Sequence, residues 1–371
     1  MLASRYFLIA LYDHPSSLNN HNLHTTMALL LLDRAQLEVK TEGETLALYE
    51  AGVRRGTVPI KLLDRCVIHG AQTRLDTGVL MKLAEAGVTT VLMSPRSPRR
   101  MALVLGSQHN DAAVRLAQAQ RVMDDVACRQ WALGLVRSKL TRQRRTLLTM
   151  QEARPDARKP LFDALQTLDG IRTQLFASSQ TRDPTHPEQS NEATPTPVLP
   201  TLLGLEGAAA RAYFGGLVGV FAPVLNFTGR NRRPPRDPVN VCLSLSYTMA
   251  HMQAVHACGL AGLDPMLGFY HRPSFGRESL ASDLIEPLRP VIDLWVWEML
   301  RSRTLREEHF SLDKGACLLG KAGRAIYYSQ WEQNSVLWRR WLRSQCQALA
   351  RSLRAQGEVW LARADEDDEL C

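Results

Sequence analysis

Three carboxylates and one imidazole, all groups that can bind a hard divalent metal, stand in two segments of this chain. The first segment, L-G-L-E-G-A-A-A-R-A-Y-F, carries Glu206, and a later Gly/Pro-rich segment carries His271, Asp283 and Glu286 beside several arginines. Oxygen ligands with one imidazole and no nearby thiolate suit Mg²⁺ or Mn²⁺ better than zinc. A metal held against a phosphate stabilises charge and lowers the pKa of a bound hydroxyl. The two segments therefore predict a metal-dependent enzyme that acts on nucleic acid.

The spacing within the second segment sets how its side chains are presented. Asp283 and Glu286 are three residues apart and share one face of a helix. Pro287 and Pro290 each remove an N–H that would bond four residues back, so we expect a kink that leaves the carbonyls of Asp283 and Glu286 free. That kink either aims the carboxylates into a cleft or is a simple bend between two helices. His271 precedes Arg-Pro and is expected at the edge of a loop.

The first segment has two interpretations on its residues alone. Glu206 precedes a run of small residues and is expected near a helix N-terminus. It is either a metal ligand or a carboxylate that the helix dipole favours there. Tyr213 lies near the same helix face, where it is either a neighbour of the active site or a core aromatic.

Three motifs together resemble the CRISPR-associated integrase family, the universal subunit of spacer acquisition. They are E-G-x-x-A-x-x-Y-F from Glu206, D-P-x-x-G-x-x-H ending at His271, and S-L-x-x-D-L-x-E-x-x-R-P ending at Pro290. A D-P-V-N segment before a helix, at 237–240, is also similar to the family. The resemblance covers roughly residues 27 to 345.

This resemblance implies a fold, a reaction and a set of roles. The implied fold is α+β and multi-domain, with a small N-terminal β-rich dimerisation domain followed by a larger all-α catalytic domain. The implied reaction inserts spacer DNA into the repeat array by attack of a 3′-hydroxyl on a phosphodiester. Glu206, His271 and Glu286 are the implied catalytic metal ligands for Mg²⁺ or Mn²⁺, and Tyr213 lies beside them. Asp283 either supports these ligands without touching the metal or replaces one of them.

The implied partners are double-stranded DNA, a second copy of the chain, and a small ferredoxin-like adaptation subunit. The charge of the chain suits such a partner, since the formal net charge is +8 and the pI is about 9.3. Basic clusters could contact phosphates, or they could be solvated surface. The candidate DNA-contacting residues, chosen on charge, are Arg230, Arg232, Arg233, Arg277 and Arg289.

The cysteine spacing and the lack of a long apolar run indicate the cellular compartment. Its seven cysteines include no C-x-x-C pair, and no apolar run approaches the length of a membrane span. We therefore expect a cytoplasmic protein with no membrane partner.

The pattern along the chain predicts three segments. Residues 1–26 are expected to be an unstructured extension, or to result from a translation start assigned upstream of the true one. Short strands and one helix are expected in 27–105, and helices throughout 106–371, including one long helix that begins near Asp111. Within that last part, 178–200 is expected to be a flexible insertion and 365–371 an acidic tail.

Two other functions stay open on the sequence. The same site could use water as its nucleophile, which would make the protein a DNA nuclease of repair. Alternatively, the chain could be a basic DNA-binding scaffold without metal chemistry. Metal-dependent strand joining, as opposed to cleavage alone, would separate the integrase from the nuclease.

Overall fold

The structure, a computed structural model, describes residues 8–10, 28–33, 36–69, 72–94, 101–104, 106, 111–177, 197–231 and 234–368. The chain divides into two compact units. The first comprises Met1–His109 and Lys321–Trp338, and the second comprises Asn110–Gly320 and Arg339–Cys371. Most of the insertion predicted at 178–200 lies outside the described residues, and so do Arg232 and Arg233.

The first unit is β-rich, as expected. Its elements are β1 (Leu8–Ala10), β2 (Ala28–Leu32), β3 (Leu37–Glu42), β4 (Thr45–Glu50), β5 (Val53–Pro59), β6 (Leu63–His69), β7 (Arg74–Leu75), α1 (Thr77–Glu85), β8 (Thr89–Met93) and β9 (Met101–Val104). One sheet has the strand order β1-β2-β6-β8-β9, and a second has the order β5-β4-β3-β7. β3 and β4 form a hairpin, since they pair up to Glu42 and Thr45 while Gly43 adopts a left-handed φ of 56°.

Alternating apolar residues form the core of this unit. Leu37 and Val39 on β3, Leu46 and Leu48 on β4, and Val79 on α1 are buried in one cluster. β5 is mostly exposed and β7 is only two residues long, so neither strand has an alternating apolar pattern in the sequence.

The expectation of an unstructured extension at 1–26 differs from the structure at one point. Leu8–Ala10 form β1, an edge strand that pairs antiparallel with β2. These residues belong to a short apolar run, and an unpaired sheet edge is a template for such a run. The other residues of 1–26 lie outside the described part.

The second unit is mainly helical. Its elements are α2 (Ala112–Met123), α3 (Asp125–Ala153), α4 (Arg158–Ala177), α5 (Leu199–Val218), α6 (Pro238–Leu260), α7 (Ser279–Ile285), α8 (Arg289–Arg301), β10 (Phe310–Asp313), β11 (Ala316–Leu319) and the later part of α9 (Lys321–Asp368). The hairpin of β10 and β11 corrects the expectation that this part is all α-helix. Lys314 and Gly315, both with positive φ, form the turn between the two strands.

Two predicted helix boundaries also differ. The single long helix expected from Asp111 is two helices, because the Asp124 carboxylate accepts hydrogen bonds from the N–H groups of Val126 and Ala127 and so starts α3 anew. α5 begins at Leu199, inside the expected insertion, with Pro200 in its first turn, where a missing N–H costs nothing.

The division into units departs from the predicted boundary as well. Lys321–Trp338, expected in the helical part, groups with the β-rich unit. There Arg65 on β6 and Glu332 on α9 form a buried ion pair, Nη2 to Oε2 2.5 Å. Among the helices of the described ranges, none is long and apolar enough to cross a membrane.

Candidate active site

Glu206, His271 and Glu286 line one cavity of about 400 Å³ in the helical unit. The sequence separates these residues widely, and α5, the loop before α7 and the turn after α7 bring them together. The cavity is also lined by Lys139 on α3 and Tyr213 on α5. The structure thus places the three predicted ligands in one site.

Glu206 lies two turns inside α5, not near its N-terminus as expected. The helix starts earlier than the sequence suggested, so the helix dipole does not account for a carboxylate at this position. Gly207 and Ala210 line the cavity beside it. Their small side chains leave open space in front of the Glu206 carboxylate.

Glu286 lies in the turn between α7 and α8, so the predicted helix break is confirmed. The expectation that the Asp283 carbonyl is left free is wrong, because the Glu286 N–H donates to it at 3.1 Å. The Glu286 side chain is buried and its Oε1 lies 3.2 Å from Nη2 of Arg289. Burial would raise the pKa of Glu286, but Arg289 and Lys139 outweigh burial and lower that pKa to about 2. Glu286 is therefore ionised.

Lys139 connects the two glutamates. Its Nζ lies 2.5 Å from Oε2 of Glu286 and also forms an ion pair with Oε1 of Glu206. Burial would lower the pKa of this lysine, but Glu286 and Glu206 outweigh burial and raise it, so the ammonium group keeps its charge. The two carboxylates therefore converge on a single cation.

His271 is oriented by Asp283, which is completely buried. Nδ1 of the imidazole lies 2.7 Å from Oδ1 of Asp283, and the same carboxylate accepts the backbone N–H groups of Phe269, Tyr270 and His271. Because a carboxylate accepts, Nδ1 carries the ring proton. Nε2, which has no partner among the described residues, is the ring nitrogen that remains available to a ligand.

Gly268 lets this loop approach α7 closely. A Cβ at this position would lie 2.6 Å from the carbonyl carbon of Ser279 and 2.8 Å from the oxygen of His271. Only glycine fits such a backbone contact. The G-x-x-H part of the motif thus has a steric basis.

The chemistry of these donors fits a hard divalent cation. Two carboxylates meet at one positive charge, and an imidazole held by a carboxylate lines the same cavity. Over the described ranges, however, no three His, Cys, Asp or Glu side chains are arranged so that they could together hold a metal ion as they stand. The position on which the glutamates converge is that of the Lys139 ammonium group.

A second buried network borders the cavity. Asp293 on α8 accepts hydrogen bonds from the hydroxyls of Tyr213, at 3.0 Å, and Tyr247. Burial raises the pKa of Asp293 to about 6, and the two tyrosine hydroxyls counteract only part of that effect. The guanidinium groups of Arg230 and Arg289 lie 5.4 Å and 4.9 Å from the centre of the Tyr247 ring. Tyr213 is thus both buried in the core and adjacent to the site.

The predicted DNA-contacting arginines are placed differently from one another. Arg230 donates to Asn240 Oδ1 at 2.7 Å and to Ser244 Oγ at 3.0 Å, and Arg289 pairs with Glu286. Both are partly buried and also line the cavity, where these contacts hold them beside the site. Arg277 is exposed and lines the cavity.

Sequence reasoning missed Lys139 and Asp293. Lys139 stands among several arginines in the sequence of α3, yet it shares the buried face with Val136 and Gln143, three and four residues away. A lysine on an apolar helix face was the available signal. Asp293 had none, because a single aspartate in a helix has no distinguishing spacing.

Comparisons with known proteins agree with this fold. The sequence pattern of the family described as CRISPR associated protein Cas1 matches residues 30–333. A protein of Thermodesulfovibrio yellowstonii named CRISPR-associated endonuclease Cas1 1 is 31% identical over 339 residues, which are 90% of this chain and 99% of that protein.

Two solved structures share the fold. A casposase bound to integration product has a TM-score of 0.71 at 19% identity, and the match covers 88% of this chain and 91% of that one. A chain of a Cas6-RT-Cas1–Cas2 complex has a TM-score of 0.70 at 21% identity, covering 92% of this chain and 36% of that one. From the family pattern and its coverage, this chain belongs to the Cas1 family of CRISPR-associated proteins.

Proposed function

We propose that this protein is a metal-dependent DNA integrase and endonuclease of CRISPR adaptation, which inserts spacer DNA into the repeat array. The observation that carries the proposal is the convergence of Glu206 and Glu286 on one cation in a cavity that His271 also lines. Family membership and the likeness of fold to a casposase bound to integration product support the same reaction.

In this proposal Glu206, Glu286 and Nε2 of His271 hold Mg²⁺ or Mn²⁺. The bound metal would stabilise charge on the phosphate and lower the pKa of the attacking hydroxyl. Asp283 fixes the tautomer and the orientation of the His271 ring. Lys139 holds the two carboxylates together in the metal-free protein and gives up one or both of them when the metal binds.

The reaction balances without a protein nucleophile. The 3′-hydroxyl oxygen of the incoming DNA forms a new bond to a repeat phosphorus, while that phosphorus loses its bond to the 3′-oxygen of the repeat strand. The leaving oxygen takes up one proton and the attacking hydroxyl loses one. Arg277, which is exposed and lines the cavity, would contact the phosphate in this proposal.

The partners we propose are double-stranded DNA, a second copy of this chain, and a small ferredoxin-like subunit. A solved structure with this fold is a Cas1–Cas2 complex, which supports a Cas partner. The net charge of +8 supports DNA, and binding should weaken steeply with added salt.

The test is strand transfer by purified variants. Glu206→Gln, Glu286→Gln and His271→Ala should each abolish Mn²⁺- or Mg²⁺-dependent joining of a 3′-hydroxyl end to a repeat. They should still fold and bind DNA, because the change removes a ligand without adding bulk. Glu152→Gln, the same change at an exposed position of α3, should join DNA like the wild type.

Two results would contradict the proposal. Joining that persists in Glu206→Gln or Glu286→Gln would remove that residue from the ligand set. Cleavage by the wild type without any joining, on a repeat substrate and with metal present, would favour a nuclease.

A further inference from the structure

A tight turn beside the site presents a phenylalanine to solvent. Residues 274–277, which we call the 274–277 turn, are closed by an antiparallel bridge between Ser274 and Arg277, and the Arg277 N–H donates to the Ser274 carbonyl at 3.2 Å. Gly276 takes a left-handed φ of 67°, which completes the reversal. Phe275 stands at the tip. Of the large apolar side chains in the described ranges, it is the most exposed.

The base of the 274–277 turn is anchored on both sides. Ser279 Oγ donates to the Arg272 carbonyl at 3.2 Å, and Arg272 itself donates to the Val122 carbonyl at 2.9 Å and pairs with Asp125. On the other side Glu278 lies 3.1 Å from Nε2 of His251. These contacts hold the backbone of the loop that carries Phe275 and so place the ring at the solvent-facing tip of the turn.

The surroundings of Phe275 indicate the chemistry of what covers it. Arg277, two residues on, lines the cavity of Glu206 and His271, and its side chain has no ion pair or hydrogen bond with any residue that the structure describes. Phe275 is four residues from His271, a span of at most about 14 Å of extended chain. A flat apolar ring next to an unpaired guanidinium suits a ligand with aromatic rings on an anionic backbone, which is a nucleic acid strand.

We propose that Phe275 stacks on an unpaired base of the DNA that enters the site, while Arg277 contacts the adjacent phosphate. The proposal deepens the proposed function and rests on it for the identity of the substrate. Phe275 is a positioning residue here. By holding the base next to the reacting end, it fixes the strand relative to His271.

The proposal takes the base to be unpaired, because an unpaired base can turn a free face toward a single ring at the tip of a turn. In a paired duplex both faces of an internal base are covered by its neighbours, so a lone aromatic ring has no free face to contact. A single-stranded overhang or a frayed end offers such faces. The proposal therefore predicts a preference for DNA with unpaired bases at its reacting end.

The test measures DNA binding in EDTA, so that it does not depend on joining. The probes are a duplex with a single-stranded 3′ overhang carrying 2-aminopurine and the same duplex with blunt ends. Phe275→Ala should weaken binding of the overhang substrate about 5- to 150-fold, the effect of losing one base–aromatic stack. It should leave blunt-end binding within about twofold of wild type and abolish the 2-aminopurine fluorescence change.

Matched variants make the outcome specific. Phe275→Trp should retain overhang binding, because the larger ring also stacks. Phe162→Ala, the same change at an exposed position of α4, should bind both substrates like the wild type. Overhang binding by Phe275→Ala equal to that of the wild type would overturn the proposal. So would a change in oligomeric mass, measured by light scattering, because Phe275 would then contact a second protein chain.

The experiments can contradict the stacking role of Phe275 and the integrase function independently of each other. If the wild type joins DNA but Phe275→Ala shows no selective loss of overhang binding, only the stacking proposal falls. If the wild type joins no DNA but Phe275→Ala selectively loses overhang binding, Phe275 is confirmed as a contact to unpaired bases and the integrase function is wrong.

Discussion

Oδ1 of Asp283 lies 2.7 Å from Nδ1 of His271, and this one carboxylate also receives three consecutive backbone N–H groups. Both oxygens of Asp283 are therefore occupied by donors from the loop before α7. A carboxylate used in this way positions the imidazole and is not itself placed to bind a metal. Of the two roles left open for Asp283, the geometry favours support of the ligands.

Asp283→Asn should therefore weaken the protein and slow DNA joining without removing a ligand. The amide NH₂ must face N–H donors, which leaves at least one buried donor unsatisfied and costs about 1–3 kcal/mol of unfolding free energy. Loss of ring orientation should reduce joining roughly 10- to 100-fold. Urea unfolding in EDTA and strand transfer with saturating Mn²⁺ measure the two effects. Complete loss of joining by a stably folded Asp283→Asn would instead make Asp283 a ligand.

The family and the three candidate ligands could be predicted from the sequence, because their motifs are short and local. The resemblance to the CRISPR-associated integrases is confirmed, and Glu206, His271 and Glu286 do line one cavity. Lys139 was not predicted, because its partners are distant in the sequence and its neighbours on α3 include several surface arginines.

Long-range packing accounts for the other differences. Lys321–Trp338 groups with the β-rich unit, where Glu332 pairs with Arg65, and a contact between residues 267 apart leaves no local pattern in the sequence. The edge strand Leu8–Ala10 forms through pairing with β2, and a three-residue strand has no periodicity of its own. The β10–β11 hairpin was not predicted, because its two four-residue strands lie between two helices, α8 and α9.

Lys139→Met should lower the stability of the metal-free protein and increase the stabilisation that Mn²⁺ provides. Without the ammonium group, Glu206 and Glu286 repel each other, so the metal-free protein should lose on the order of 3 kcal/mol of unfolding free energy. Mn²⁺ should then stabilise the variant more than the wild type, because no lysine competes for the carboxylates. At 100 times its Kd, a bound ion adds about 2.7 kcal/mol. Thermal melts with EDTA and with Mn²⁺ measure both effects.

The matched control for this change is Lys159→Met, at an exposed position of α4. It should melt like the wild type with and without Mn²⁺. If Lys139→Met gains no more from Mn²⁺ than the wild type does, the glutamates do not bind the ion.

Glu332→Leu should destabilise the β-rich unit strongly. It leaves the buried Arg65 guanidinium without its carboxylate, which lies 2.5 Å away in the native protein. Breaking one side of a buried ion pair typically costs about 3–5 kcal/mol. The double variant Arg65→Met/Glu332→Leu should be more stable than Glu332→Leu, because the buried charge that lost the Glu332 carboxylate is also removed. Urea unfolding of the three proteins decides this, and equal stability of the single and double variants would show that the pair is not coupled.

Asp293 should make stability depend on pH over a defined window. Its ordinary pKa of 3.8 is raised to about 6 in the folded protein, chiefly by burial. Between these values the folded state binds more protons than the unfolded state, so the stability that Asp293 contributes is present below about pH 4 and is lost as the pH rises to about 6. A shift of this size corresponds to about 3 kcal/mol.

Asp293→Asn removes this titration and isolates it. Tyr213, Tyr247, Arg230 and Arg289, the groups that face Asp293, keep their charge states throughout this range. The unfolding free energy of the wild type minus that of the variant should therefore fall by about 3 kcal/mol between pH 4 and pH 6.5 and stay level above it. Urea unfolding at half-unit pH steps in EDTA measures this difference. A difference that rises with pH would mean that the tyrosine hydroxyls and arginines stabilise the Asp293 carboxylate more than burial destabilises it.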